Sequence, residues 1–141
     1  MRASDAHLER HYAVAGAGLA PRDVRVWVPQ GGVFSHLIVA HDGQNLFDPD
    51  ASHGGLRLDQ SLPAGMLVVA IDHTLARMDE YTHVPDIISG EPVGGRADDY
   101  ASLMNDVVLP DAIARYGEPE RVGSMGSSLG GLVSLHLADR D

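Results

Sequence analysis

The sequence contains no cysteine and no lysine, and each absence excludes a class of chemistry. Without cysteine there is no disulfide, no thiolate zinc site and no cysteine nucleophile. All ten basic residues are arginine, which excludes a Walker A loop, a Schiff-base lysine and a Ser-Lys dyad, because each of these needs an amine.

Basic charge and long apolar runs are also scarce. The formal net charge is −10, which argues against nucleic-acid and anionic-membrane partners, because phosphate contacts need clustered basic side chains. The longest apolar run, residues 66–71, is far shorter than the ~20 residues of a membrane span, and residues 1–7 lack the apolar segment of a signal peptide. We therefore expect a soluble cytoplasmic protein whose 141 residues form one domain.

Strand-like and helix-like segments alternate along the chain. Residues 97–116 show the clearest helical pattern, with a kink or split expected at Pro110, and residues 52–62 are expected to hold one short helix. The predicted strands are residues 12–18, 24–28, 37–40, 66–71 and 120–125. This alternation predicts an α/β fold with a mostly parallel sheet, in strand order 2-4-3-5, and helices on both faces.

Residues 126–130 read Gly-Ser-Ser-Leu-Gly, a Gly-x-Ser-x-Gly pentapeptide centred on Ser128. In serine hydrolases this pattern forms the nucleophile elbow, a tight strand-to-helix turn that holds the serine hydroxyl clear of the backbone. An acid and then a histidine normally follow the serine along the chain. Here the next histidine is His136, which a helix would place ~12 Å along its axis, beyond hydrogen-bond reach of Ser128. The sequence thus predicts a nucleophile without its usual base.

Two long loops, residues 42–56 and 73–96, leave the carboxyl ends of predicted strands, where open α/β sheets build their sites. His73 and His83 lie in the second loop and are the candidates to replace the missing base. His41 ends a strand and is a third candidate. Each of the three is alternatively a solvated or hydrogen-bonded loop histidine without a catalytic role.

Acidic residues accompany these histidines. Asp42, Asp72 and Glu80 could orient a catalytic histidine or, together with it, hold a metal ion, because imidazole and carboxylate suit zinc or manganese. No two histidines have the H-E-x-x-H spacing of a helical zinc site, and scattered acids are ordinary in an acidic protein. No other cofactor is indicated.

Five ordered blocks of sequence resemble the esterase branch of the α/β-hydrolases, the group with enterochelin, feruloyl and acetylxylan esterases and mycolyltransferases. These blocks are residues 41–48, 68–72, 77–82, 99–110 and 126–131, and the resemblance spans about residues 22–139. It implies that Ser128 is the nucleophile and that the backbone N–H groups of Gln44 and Leu129 form the oxyanion hole. The family's later acid and histidine have no counterpart here, so residues 1–141 are expected to form a truncated α/β-hydrolase domain that lacks the C-terminal strands.

Three functions remain open at this stage. The first is weak or promiscuous hydrolysis of small activated esters through Ser128, with a substitute histidine. The second is hydrolysis of phosphotriesters by the His/Asp loops with a water or metal ion. The third is an inactive remnant that serves as an assembly or binding module. Strand 120–125 would form a bare sheet edge, so we also expect a homodimer or higher assembly that covers it.

Overall fold

The computed structural model describes residues 5–48, 57–75, 77–82, 85–88, 91–126, 130 and 133–134. Most of these residues form one five-stranded sheet with a long helix packed on it, and residues 85–94 add a separate two-stranded sheet. The strands are β1 (His7–Gly16), β2 (Leu19–Val28), β3 (His36–His41), β4 (Met66–Ile71), β5 (Pro85–Ile88), β6 (Glu91–Gly94) and β7 (Arg121–Met125).

The main sheet has the order β1-β2-β4-β3-β7. The fifth predicted strand, residues 120–125, corresponds to β7, so the predicted order 2-4-3-5 is confirmed. The prediction of a mostly parallel sheet is wrong, because the sheet is mixed. β3 pairs in parallel with β4 and β7, whereas β1 pairs with β2 and β2 with β4 in antiparallel fashion. A two-residue turn at Ala17 and Gly18, both with positive φ, joins β1 to β2, and so short a connection allows only an antiparallel hairpin.

The predicted helix over residues 97–116 is present as α2 (Ala97–Leu103), a π-helical turn (Met104–Val108) and α3 (Leu109–Tyr116). The backbone stays helical across both boundaries, so the break expected at Pro110 takes the form of a wider hydrogen-bond spacing. Pro110 lies near the start of α3 and has no N–H to donate, so the continuous helix lacks one backbone hydrogen bond there. A further short helix, α1 (Arg77–Glu80), lies with β5 and β6 in the segment that the sequence predicted as a loop.

The larger core lies between the sheet and the α2–α3 helix. Its fully buried members include Leu37, Leu67, Ile71, Tyr100 and Leu103, and Val133 belongs to the same cluster. The opposite face carries a smaller cluster of Ala40, Leu46, Phe47, Val68 and Ala70.

Helices cover the two faces unequally in the described part of the chain. The second face carries 3-10 turns at Gly43–Asn45 and Leu58–Gln60, and the latter is what the structure shows of the short helix predicted over 52–62. Among the described residues, every helix is too short or too polar to cross a lipid bilayer.

Candidate active site

The carboxyl end of β3 carries a residue in an unusual backbone conformation. Asp42 follows His41 with φ 61° and ψ 48°, in the left-handed region that few residues other than glycine adopt. Such strain costs on the order of 1–3 kcal/mol and is found where a site requires a particular side-chain direction. The Asp42 side chain is buried, and the chain continues directly into the 3-10 turn Gly43–Asn45.

Gly43 lets this turn approach the neighbouring strand closely. A Cβ atom built on Gly43 would lie 2.7 Å from Asp72 Oδ1 and 2.9 Å from the carbonyl oxygen of Ala70, so any side chain would collide with β4 and its end. The close approach brings the end of β3 against the end of β4. As a result, Gln44 and His73, which are far apart in sequence, become neighbours.

Asp42 accepts hydrogen bonds from both a histidine and an arginine. His73 Nδ1 lies 2.8 Å from Asp42 Oδ1, and Arg77 donates from Nε to Oδ1 at 2.7 Å and from Nη2 to Oδ2 at 2.8 Å. Burial alone raises the pKa of Asp42, but the bonds and charges of Arg77 and His73 outweigh burial and hold this pKa below its ordinary value. The carboxylate is therefore ionised at neutral pH.

Gln44 fixes the backbone of His73 with two hydrogen bonds from a single side chain. Its Nε2 donates to the carbonyl oxygen of His73 at 3.0 Å, and its Oε1 accepts the N–H of His73 at 3.0 Å. The main-chain N–H of Gln44 lies in the first turn of the 3-10 helix, where amides lack an acceptor within the helix. Gln44 thus combines a locked side chain with an N–H group suited to an oxyanion hole.

His73 has the arrangement of a general base. Because Nδ1 faces the Asp42 carboxylate, the proton of a neutral imidazole resides on Nδ1, and Nε2 keeps the lone pair that accepts a proton. The His73 side chain is 25% exposed, so a substrate can approach it. Of the two described histidines named from the sequence, His73 fits this role better than His41, whose ring nitrogens are both bound inside the core; His83 lies outside the described residues.

Gly130, the last residue of the pentapeptide that contains Ser128, lies beside Asp42. A Cβ built on Gly126 would lie 2.3 Å from the carbonyl carbon of Gly130, so the two flanking glycines of the pentapeptide contact each other. A Cβ built on Gly130 would lie 3.3 Å from Asp42 Oδ2. The predicted nucleophile Ser128 and the predicted oxyanion donor Leu129 lie outside the described residues.

His41 is buried, and both of its ring nitrogens are engaged. Nδ1 lies 2.6 Å from the Tyr100 hydroxyl, and Nε2 lies 3.0 Å from Ser124 Oγ. The chain of bonds continues from Ser124 to Ser134 and on to the carbonyl oxygen of Gly130. Burial lowers the pKa of His41 to about 4, so the ring is neutral at pH 7. This geometry favours a structural role, in which His41 joins Tyr100 on α2 to Ser124 on β7.

Asp72 and Glu80, the other acids named from the sequence, are each paired with an arginine. Arg25 binds Asp72 through two bonds of 3.0 and 3.2 Å, and burial still raises the pKa of Asp72. Glu80 forms a buried bidentate ion pair with Arg22, whose Nε is buried without a partner among the described residues. In the part of the chain that the structure describes, no three His, Asp or Glu side chains come close enough to share a metal ion.

An open cleft of about 660 Å³ lies in front of His73. The ends of β3 and β4 contribute Gln44 and Asp72 to its walls, and the start of β2 contributes residues 21–23. Arg77, which binds Asp42, also lines it. No role for Arg77 or for residues 21–23 was predicted from sequence patterns, although Arg77 begins one of the blocks that match the esterases.

No protein-family model and no curated protein sequence matches this chain. Solved structures do match it. The chain is similar to an IroE-like serine hydrolase from Shewanella oneidensis, with a TM-score of 0.73 and 20% identity over 92% of this chain and 45% of that one. It is also similar to the siderophore hydrolase EstB from Aspergillus nidulans, with a TM-score of 0.66 and 25% identity over 92% of this chain and 52% of that one.

A third similar structure is an enterochelin esterase from Shigella flexneri, with a TM-score of 0.67 and 19% identity over 97% of this chain and 34% of that one. The chain therefore spans about half the length, or less, of these three solved structures. The expected resemblance to the esterase branch of the α/β-hydrolases is confirmed at the level of the fold.

Proposed function

We propose that this chain hydrolyses small activated esters, with Ser128 as the nucleophile and His73, oriented by Asp42, as the general base. The observation that carries the proposal is the 2.8 Å contact between His73 Nδ1 and the ionised Asp42 carboxylate, beside Gly130 of the pentapeptide. His73 and Asp42 are the histidine and the acid that a Gly-x-Ser-x-Gly serine needs, and both precede the serine in sequence. Chain order does not restrict such a triad, because unrelated enzymes assemble it in different orders.

The proposed reaction has two halves. Ser128 Oγ attacks the ester carbonyl while His73 Nε2 accepts the hydroxyl proton, and His73 then gives this proton to the departing alcohol. A water molecule activated by the same nitrogen next hydrolyses the acyl-enzyme and restores Ser128. The negative oxygen of each tetrahedral intermediate is stabilised by the N–H groups of Gln44 and Leu129.

The surrounding contacts support this arrangement. Asp42 remains charged at neutral pH and stabilises the imidazolium that forms when His73 accepts the proton. Gln44 fixes the backbone of His73 while it presents its own N–H, so the base and one oxyanion donor belong to a single rigid unit. The cleft is open to water, and we therefore expect modest rates and broad tolerance of activated esters rather than high specificity.

Steady-state hydrolysis of p-nitrophenyl acetate tests the proposal. We expect turnover above the buffer rate that persists in EDTA. We expect kcat to fall by roughly 10²–10⁴-fold in His73→Gln and Asp42→Asn, because both lose the oriented base. Asp59→Asn removes a carboxylate that binds Arg57 outside the cleft and is the matched control, which should keep wild-type kcat.

Three results would point to another function. Turnover abolished by EDTA, or paraoxon hydrolysis that survives in His73→Gln, would favour metal-assisted or water-based chemistry on phosphotriesters. Wild-type kcat in both His73→Gln and Asp42→Asn would exclude His73 as the base. No turnover of any ester by the wild type would leave the assembly or binding module.

A further inference from the structure

The charged side chains that line the cleft are all paired within the described residues. They are two arginines and two aspartates, and His73 lies among them. The pairs are Arg22 with Glu80, Arg77 and His73 with Asp42, Asp72 with Arg25, and Asp23 with Arg10. The pairs of Arg22 with Glu80 and of Arg77 with Asp42 are bidentate, so both oxygens of each carboxylate accept a hydrogen bond from the arginine.

A charged substrate group would meet an unfavourable environment in this cleft. It would have to enter without a counter-ion, or it would have to open an existing ion pair and leave one partner unpaired. Opening the pair of Arg22 with Glu80 would strand a charge that is almost completely buried. Exposed apolar surface, in contrast, is offered by Leu75, whose side chain projects fully into solvent at the cleft wall.

We infer that the cleft selects esters with an uncharged acyl group and discriminates against both anionic and cationic acyl groups. The inference rests on the proposed function, because it takes the cleft beside His73 as the acyl site. A volume of about 660 Å³ is within the range of small-molecule pockets and would hold an acyl chain of several carbons. The cleft would select the acyl group by its charge, because the charged side chains of the wall are already paired, and not by a tight steric fit.

One of the pairs can be opened from outside the cleft. Asp23 lines the cleft, whereas its partner Arg10 on β1 does not, and Arg10 binds Asp23 Oδ2 from Nε at 2.9 Å and from Nη2 at 2.6 Å. The N–H of Ala13 holds the other oxygen, Oδ1, at 3.1 Å and would keep the carboxylate in place without Arg10. Arg10→Gln should therefore convert this part of the wall into a subsite for a cation.

The test compares three p-nitrophenyl esters of similar length: the neutral pentanoate, the anionic hemisuccinate and a cationic 4-(trimethylammonio)butanoate. We expect kcat/KM of the wild type to be at least fivefold higher for the neutral ester than for either charged ester. Arg10→Gln should raise the ratio of cationic to neutral kcat/KM about fivefold, the effect of one partly exposed charge contact. Arg115→Gln removes the same charge from an exposed pair with Asp111 on α3 and should leave the ratio unchanged.

Binding separates this inference from the proposed function. Calorimetric titration of the wild type with the three corresponding p-nitroanilides, which keep the acyl groups but resist hydrolysis, measures selectivity without turnover. Tighter binding of the neutral anilide supports the inference even when no ester is hydrolysed, an outcome that would reject only the proposed function. Equal or better binding or turnover of a charged acyl group by the wild type would overturn the inference, as would an unchanged ratio in Arg10→Gln.

Discussion

Among single residues, His41 and Asp42 at the end of β3 are neighbours in sequence whose side chains lie in different surroundings. Asp42 turns its carboxylate toward His73 and Arg77, whereas His41 turns into the core and bonds Tyr100 and Ser124. Adjacent residues of a strand point to opposite faces, and the left-handed φ of Asp42 ends that alternation at the sheet edge. One residue can therefore serve a site while the next holds the core together.

The buried His41 makes the stability of the fold depend on pH. In the unfolded chain its pKa is the ordinary 6.5, whereas in the folded protein burial lowers it to about 4. Between these values the unfolded state binds the extra proton, so stability is complete above pH 6.5 and is lost as the pH falls toward 4. The expected loss is on the order of 3 kcal/mol, because each tenfold change in a proton-dissociation constant corresponds to about 1.4 kcal/mol.

His41→Gln should weaken this pH dependence, because glutamine can hydrogen-bond but does not titrate. The free energy of unfolding, measured in urea at pH 8 and pH 5, provides the comparison. The wild type should lose more stability than the variant between these two pH values. Equal losses in the two proteins would show that His41 is not held neutral by the fold.

At the scale of elements, the site depends on how closely the turn after β3 packs against β4. A methyl group on Gly43 would meet backbone atoms of Ala70, which cannot rotate away, so Gly43→Ala must displace the turn. We expect a loss of about 1–3 kcal/mol in stability, as for overpacked sites. We also expect a fall in kcat of about 10²-fold, because a shift of about 1 Å in Gln44 misplaces both the oxyanion donor and His73.

Gly123→Ala is the matched control for Gly43→Ala. A Cβ built on Gly123 would approach only the mobile end of the Ile38 side chain, at 3.1 Å, so this variant should retain most of its activity. Urea unfolding and p-nitrophenyl acetate turnover of both variants check the prediction. A Gly43→Ala protein with wild-type kcat would mean that the turn does not set the geometry of the reaction.

The sequence predicts the elements whose signal is local and misses those set by long-range pairing. The apolar runs predict β3 and β4, and the amphipathic pattern predicts the helix over 97–116. The strand order follows from the α/β pattern. The antiparallel pairing of β2 with β4 depends on a partner distant in sequence, and no local pattern reports it. α1, β5 and β6 are too short to produce a clear periodicity.

The same limit applies to the candidate site. The pattern indicates His73 and Asp42 separately as residues at strand ends, but it cannot pair them, because their contact crosses 31 positions of the chain. The pattern also cannot show that His41 is buried whereas His73 is partly exposed. The burial of His41 depends on its contacts with Tyr100 and Ser124, and therefore on how α2 and β7 pack. Arg77 begins a block that matches the esterases, but the sequence assigns it no role, because an arginine in a predicted loop cannot be distinguished from a solvated one until its carboxylate partner is known.

At the scale of the whole molecule, β7 is the outer strand of the described sheet. It pairs with β3 on one side, and Val122 and Met125 are 53% and 37% exposed. Exposed apolar side chains beside unpaired backbone groups favour the addition of another strand. Self-association of this chain through β7 therefore stays our prediction.

Sedimentation equilibrium at micromolar concentrations tests the association. We expect a concentration-dependent dimer, and we expect Val122→Lys to shift the equilibrium toward monomer, because a lysine on an edge strand opposes pairing. Arg115→Gln, which changes an exposed ion pair on α3 rather than the strand edge, should associate like the wild type. A stable wild-type monomer across this concentration range would contradict the prediction.

Covalent labelling distinguishes whether Ser128 is the nucleophile and His73 its base. The protein is treated with a fluorophosphonate, and the adduct is located by peptide mass spectrometry in the wild type, in Ser128→Ala and in His73→Gln. We expect one adduct, on Ser128, that is absent in Ser128→Ala and forms at least about 10²-fold more slowly in His73→Gln. A wild-type protein that takes no label or takes it on another residue, or a His73→Gln variant that is labelled as fast as the wild type, would rule out these roles for Ser128 and His73.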